Sequence, residues 1–159
     1  MPIRIRWKTK EYFGIGLLLL GMCGMLQLFF IFIGQYFLAI GNYFVVILIP
    51  LGMTVAIFFS AMVIFESFAQ VERREKLKSQ FRKSNIDISN WTKILNFPIT
   101  KPMVIVSIIF ISFFFTTFYI SATYLTNTIS FIVAENTSAI ICLLIANLIE
   151  KKYGRVRRF

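Results

Sequence analysis

Residues 12–65 read YFGIGLLLLGMCGMLQLFFIFIGQYFLAIGNYFVVILIPLGMTVAIFFSAMVIF, 54 residues without a single Asp, Glu, Lys or Arg. A helix rises about 1.5 Å per residue and needs about 20 residues to cross the hydrocarbon of a bilayer. The run is too long for one crossing and fits two joined by a turn. The local breakers Gly34, Gln35, Gly41 and Asn42 place that turn, since Gly and Asn punctuate apolar segments. The spacing predicts a first helix over 12–33 and a second over 43–66.

The same logic extends along the chain. Residues 102–134 and 136–149 are also free of charge, predicting helices over 102–125 and 130–150. The polar stretch Thr126-Asn127-Thr128 separates them, with Ser130 as the expected N-cap. Pro102 fits the first turn of the third helix, where a missing N–H costs nothing. The first apolar run is longer than the apolar part of a signal peptide and is followed by no small-residue cleavage site, so it reads as a retained anchor. The expected fold is an all-α integral membrane protein, one transmembrane domain of four helices spanning residues 1–159.

Composition points the same way. Of 159 residues, 58% are hydrophobic and 15% charged, including 19 Phe, and the mean hydropathy is +0.77. Soluble domains carry about 25% charge; this excess of apolar surface requires lipid as solvent. Histidine is absent, which removes imidazole bases and the usual zinc, copper and haem ligands.

All 17 Lys and Arg fall in three segments. Four precede the first helix, eight lie between the second and third, and five follow the fourth. Cytoplasmic segments are enriched in these residues. Both termini and the central loop (67–101) are therefore expected in the cytoplasm of a cell with the protein in its plasma membrane. Helix 2 is expected to run on into the cytoplasm to about Lys83, with Glu72 and Lys76 as an i,i+4 pair. Within the loop, Trp91, Ile94 and Leu95 share one helical face and read as a short interfacial segment, with Trp91 at headgroup level. The basic cluster Lys151, Lys152, Arg155, Arg157 and Arg158 reads as an anchor to anionic lipid headgroups. Nucleic acid is not an expected partner.

Several residues could carry binding. Gly14, Gly21 and Gly24 of helix 1 would let another helix approach closely, from within the chain or from another subunit. Pro50 should kink helix 2 and free a carbonyl near residue 46. The sulfurs of Met22, Cys23 and Met25 suit soft metals, but these positions do not share one face. Cys23 and Cys142 read as buried free thiols, and no cofactor or metal is expected.

The most informative feature is hydroxylic and acidic. Ser112, Thr116, Tyr119 and Thr123 form one stripe of helix 3, and helix 4 opens with Glu135 and Asn136. Glu135 is the only acid within an otherwise uncharged span, and intramembrane acids are costly enough to suggest function. Two readings are open. Glu135, about 7 Å below the predicted helix end, could reach the outer headgroups, favoured by the helix dipole. Alternatively it could serve a ligand, an ion or a partner.

There is no nucleophile–base pair, acidic metal cluster or phosphate-binding glycine loop, so an enzyme is not expected. Small four-helix multidrug transporters also use a membrane glutamate, but in their first helix, where this chain has none. Size and topology resemble accessory subunits of membrane oxidases, monooxygenases and respiratory assemblies. The resemblance implies a non-catalytic subunit of a larger complex or a homo-oligomer. The alternative is a small oligomeric transporter or channel using Glu135.

Overall fold

The structure is a computed structural model that describes residues 10–79 and 99–154, with side chains described over 13–71 and 99–153. The described residues are helical apart from short connections. They form α1 (Lys10–Phe32), a π-helical turn (Ile33–Phe37), α2 (Tyr43–Ser79), α3 (Thr100–Ala122) and α4 (Asn127–Gly154). Four segments are long and apolar enough to cross a membrane: Phe13–Phe37, Tyr43–Val71, Thr100–Ala122 and Asn127–Tyr153.

Some boundaries differ from the sequence expectation, for identifiable reasons. The first span does not stop at residue 33 but widens into the π-turn, whose end is closed by the bonds Leu38 N–H to Ile33 O (3.0 Å) and Ile40 N–H to Gly34 O (3.2 Å). Ser130 is not the cap of the last helix. Its own N–H already donates to Thr126 O at 2.9 Å, and the helix starts at Asn127. Helix α2 is continuous through Pro50 and runs on past residue 66 to Ser79, in line with its expected extension toward Lys83, the last part of which lies outside the described residues. The segment expected at the membrane surface around Trp91, and Arg155, Arg157 and Arg158, lie outside the described residues.

The helices run up, down, up, down, so the two connections share one end, here the turn end, and the termini share the other. Helix α4 is the centre of the bundle and packs extensively against α2 and α3. Its inward face explains why: Ala134, Ser138, Ala139, Cys142 and Ala146 are all buried, and small side chains let neighbouring helices come close. Helix α1 packs on α2 and only lightly on α3.

Aromatic rings close the gap that this light packing leaves. Phe30 of α1 meets Phe110 and Phe114 of α3 edge-on, with centroids 5.0 and 4.6 Å apart, and Phe114 meets Phe131 of α4 at 5.7 Å. Edge-to-face contacts at such distances add about 0.5–1.5 kcal/mol each beyond burial. At the turn end, Gly34 marks a close approach of α2 and α4 to the π-turn. A Cβ there would stand 3.0 Å from Val46 Cγ1 and 3.2 Å from the Phe131 ring. The same end is tied by the Asn127 side chain, which donates to Leu38 O at 3.2 Å.

Candidate polar site in the bundle interior

Along α1 the inward stripe runs Gly34, Phe30, Gln27, Cys23, and along α4 it runs Phe131, Glu135, Ser138, Cys142. Both stripes follow the helical repeat; α1 sets Gln27 between apolar neighbours, while α4 sets Glu135 between Phe131 and Ser138, whose hydroxyl donates to Ala134 O at 2.6 Å. On the turn side lie the phenylalanines. On the termini side lies a sulfur-rich layer, where Cys23 Sγ sits 3.9 Å from Met103 Sδ and Cys142 Sγ 3.9 Å from Val106 O. Gln27 and Glu135 are thus enclosed from both ends.

Both residues are sealed from the surface, with Gln27 2% and Glu135 0% exposed. The Gln27 carboxamide is close enough to act on the Glu135 carboxyl. Yet neither oxygen of Glu135, nor Oε1 or Nε2 of Gln27, completes a hydrogen bond. The two groups are neighbours that complete no bond with each other. Leaving a buried polar atom unsatisfied costs about 1–3 kcal/mol, and an isolated carboxylate costs more. The lysines whose side chains are described, Lys101, Lys151 and Lys152, are exposed and do not neutralise it.

Glu135 lies deeper than its sequence position suggested. Helix α4 starts at Asn127, which puts Glu135 eight residues in, or about 12 Å along the axis. Its side chain has no exposed surface from which to reach headgroups. Of the two readings open from the sequence, the headgroup one loses support, because the helix starts three residues earlier than Ser130 and the side chain turns inward.

Helix α2 adds a carbonyl whose usual i+4 donor is missing. Val46 and Phe131 both flank Gly34, so Pro50 and Glu135, each one turn further in, stand at similar depth. Pro50 has no N–H to offer the Val46 carbonyl, and helix carbonyls point toward the C-terminus, here toward that level. The Pro50 carbonyl accepts a bond from Thr54 Oγ1 at 2.9 Å.

The other candidate residues do not converge on this site. Ser112, Thr116, Tyr119 and Thr123 face outward from α3. Thr116 and Thr123 donate to carbonyls of their own helix, Ser112 O and Ile120 O, both at 2.7 Å. A hydroxyl that can serve its own backbone has no need of the interior, and periodicity alone cannot tell the two faces apart. Asn136 is half-buried and donates to Ile132 O at 2.8 Å.

Gly14, Gly21 and Gly24 are not packing sites within the chain, since a Cβ at any of them would meet nothing within 4 Å. Met22 and Met25 are exposed while Cys23 is buried, so the three sulfurs do not meet. Among the described residues no group of three His, Cys, Asp or Glu could hold a metal.

Gln27 is the residue that sequence reasoning missed. Its signal was present: it is an amide deep in an uncharged run, in phase with Cys23 and Phe30. No protein family, curated protein or solved structure matches the chain, so the site stands on its own geometry.

Proposed function

We propose that this chain is a non-catalytic multi-pass membrane protein that serves as an accessory subunit of a larger integral membrane assembly, either with other chains or as a homo-oligomer. The observation that supports this is the uncovered face of α1. Three glycines on a spanning helix stand open on the helix that is least engaged with the bundle. Glycine is expensive in a helix interior unless a second backbone uses the space. The outward hydroxyl stripe of α3, Ser112, Thr116, Tyr119 and Thr123, offers polar contacts to the same kind of neighbour. Lys151 and Lys152, exposed in the last turn of α4, would anchor to anionic headgroups on the cytoplasmic side, with both termini cytoplasmic.

The test is purification in mild detergent followed by identification of co-purifying chains and of oligomer mass. Wild type should carry a partner or self-associate. Gly21→Leu should lose it while keeping its helicity. A monodisperse monomer that is indifferent to Gly21→Leu would remove the subunit reading.

A second reading, a small oligomeric transporter or channel, is favoured by the enclosed Glu135–Gln27 pair, because intramembrane acids mark ion and proton pathways. Selective loss of ion flux from vesicles carrying Glu135→Gln would support it over the first.

A further inference from the structure

We propose that Glu135 and Gln27 form an internal binding site for one exchangeable monovalent cation, a proton or an alkali-metal ion. The inference goes beyond the subunit reading and does not depend on it. It also names a ligand for the pair without requiring net transport.

The argument starts from charge. Glu135 is the only charged residue among the fully buried ones described, so the site holds one negative charge at most. A single positive charge neutralises it, whereas a divalent ion would leave a net charge in a low-dielectric interior. The donor chemistry then narrows the choice. The unpartnered acceptors of Glu135 and Gln27 are two carboxyl oxygens and one amide oxygen, with Ser130 Oγ, five residues earlier on α4, also buried and unpartnered; all are hard oxygen ligands. The Val46 carbonyl, which Pro50 cannot serve, lies at a neighbouring level of α2. The sulfurs are set apart, with Cys23 turned to Met103 and Cys142 to Val106 O.

Few other groups compete. The titratable side chains facing the interior from α1 and α4 are Cys23 and Cys142, both one layer toward the termini. Those of α3, Lys101 and Tyr119, and nearby Tyr124 are exposed. On α2, Glu66 lies four turns beyond Pro50 and has an interaction of its own. Gln27 supplies what a lone carboxyl lacks. Its Oε1 can accept from a protonated Glu135 or contribute to an alkali ion, and its Nε2 can donate to the ionised form. The amide thus stabilises either state and makes the cation exchangeable.

Dicyclohexylcarbodiimide, which adds to protonated carboxyls in apolar surroundings, reads the site. The full chain is reconstituted into phosphatidylcholine–phosphatidylglycerol vesicles, treated across a pH series in choline, sodium or potassium chloride, and mapped by peptide mass spectrometry. Glu135 should be modified, with a rate that falls as pH rises. Protection by sodium or potassium over choline at fixed pH assigns an alkali ion, and equal rates in all three salts assign the proton. Gln27→Leu, checked for helicity and monodispersity, should shift the pH midpoint or the protecting salt concentration by about tenfold. Absence of modification at Glu135 at every pH, or a rate indifferent to pH, salt and Gln27→Leu alike, would overturn the proposal. Because the readout uses this chain alone, its failure is distinct from failure to find a partner subunit.

Discussion

Gln27 and Glu135 each protect the other from being stranded, and that makes their mutations non-additive. Gln27→Leu alone removes the carboxamide beside the carboxyl and should cost about 1–3 kcal/mol. Gln27→Leu combined with Glu135→Leu replaces both groups by apolar ones of similar size, which is near neutral or stabilising for buried polar pairs. A thermal unfolding series in one detergent, run as a double-mutant cycle, should show the double variant more stable than the Gln27→Leu single. Additive losses would mean the two side chains do not interact. Two backbone positions at the turn end behave oppositely. A methyl group at Gly34 would press on Val46 and Phe131 at 3.0 and 3.2 Å and force them to shift, so Gly34→Ala should destabilise by about 1–3 kcal/mol through overpacking. Ala39 holds φ at 47°, where an L-residue is strained by about 1–2 kcal/mol. Ala39→Gly relieves that strain against about 0.4–1 kcal/mol of added unfolded-state entropy. Its melting temperature should therefore rise slightly or hold, while that of Gly34→Ala falls.

At the scale of helices, what could be read from the sequence depended on which forces act locally. The four spans were legible because charge cannot enter hydrocarbon cheaply, so uncharged runs delimit them directly. The ends were less so. The π-turn at Ile33–Phe37 depends on Gly34 meeting Val46 and Phe131 across the bundle, a contact that no local window contains. The start of α4 was displaced from Ser130 to Asn127 because Asn127 is held by Leu38 O of a distant segment. The faces were least legible of all. In lipid, hydrophobicity does not separate inside from outside, so the α3 hydroxyls and α1 glycines gave no sign of pointing outward. Along α4 small residues mark the inward face, as in its Ala, Ser and Cys stripe, while on α1 and α3 the inward positions hold large rings such as Phe30, Phe110 and Phe114. The open α1 glycines carry their own prediction. Gly21→Ala introduces a methyl group that meets nothing and removes a helix-interior glycine, a gain of about 1 kcal/mol. The isolated chain should thus melt higher, measured by circular dichroism in detergent. A clear loss of stability in the isolated chain would mean that α1 packs inside the bundle through this face.

On the scale of the whole molecule, the six tyrosines sort to the ends of the helices. Tyr36, Tyr43, Tyr119 and Tyr124 surround the turn end and are 68–85% exposed, while Tyr12 and Tyr153 mark the start of α1 and the end of α4. Tyrosine collects where one side of the ring meets hydrocarbon and its hydroxyl meets water. The segment between the two sets is of the right height, because Asn127–Tyr153 has 27 residues, about 40 Å of helix, matching about 40–45 Å of bilayer with its interfaces. The lysines and arginines break the symmetry between the two ends. Lys10, Lys101, Lys151 and Lys152 all stand at the termini end, and the connections Leu38–Asn42 and Thr123–Thr126 carry no charge. If this asymmetry sets orientation, the turn end faces outward. Single cysteines placed at Tyr36 and Asn127 should then react with a membrane-impermeant maleimide on intact cells. One at Lys152 should react only after the membrane is opened. The native thiols do not confuse the assay, since Cys23 and Cys142 are both buried. Labelling of Lys152→Cys from outside, with Asn127→Cys protected, would invert the molecule. It would place the basic anchor on the external leaflet and open the ion site's nearer end to the cytoplasm.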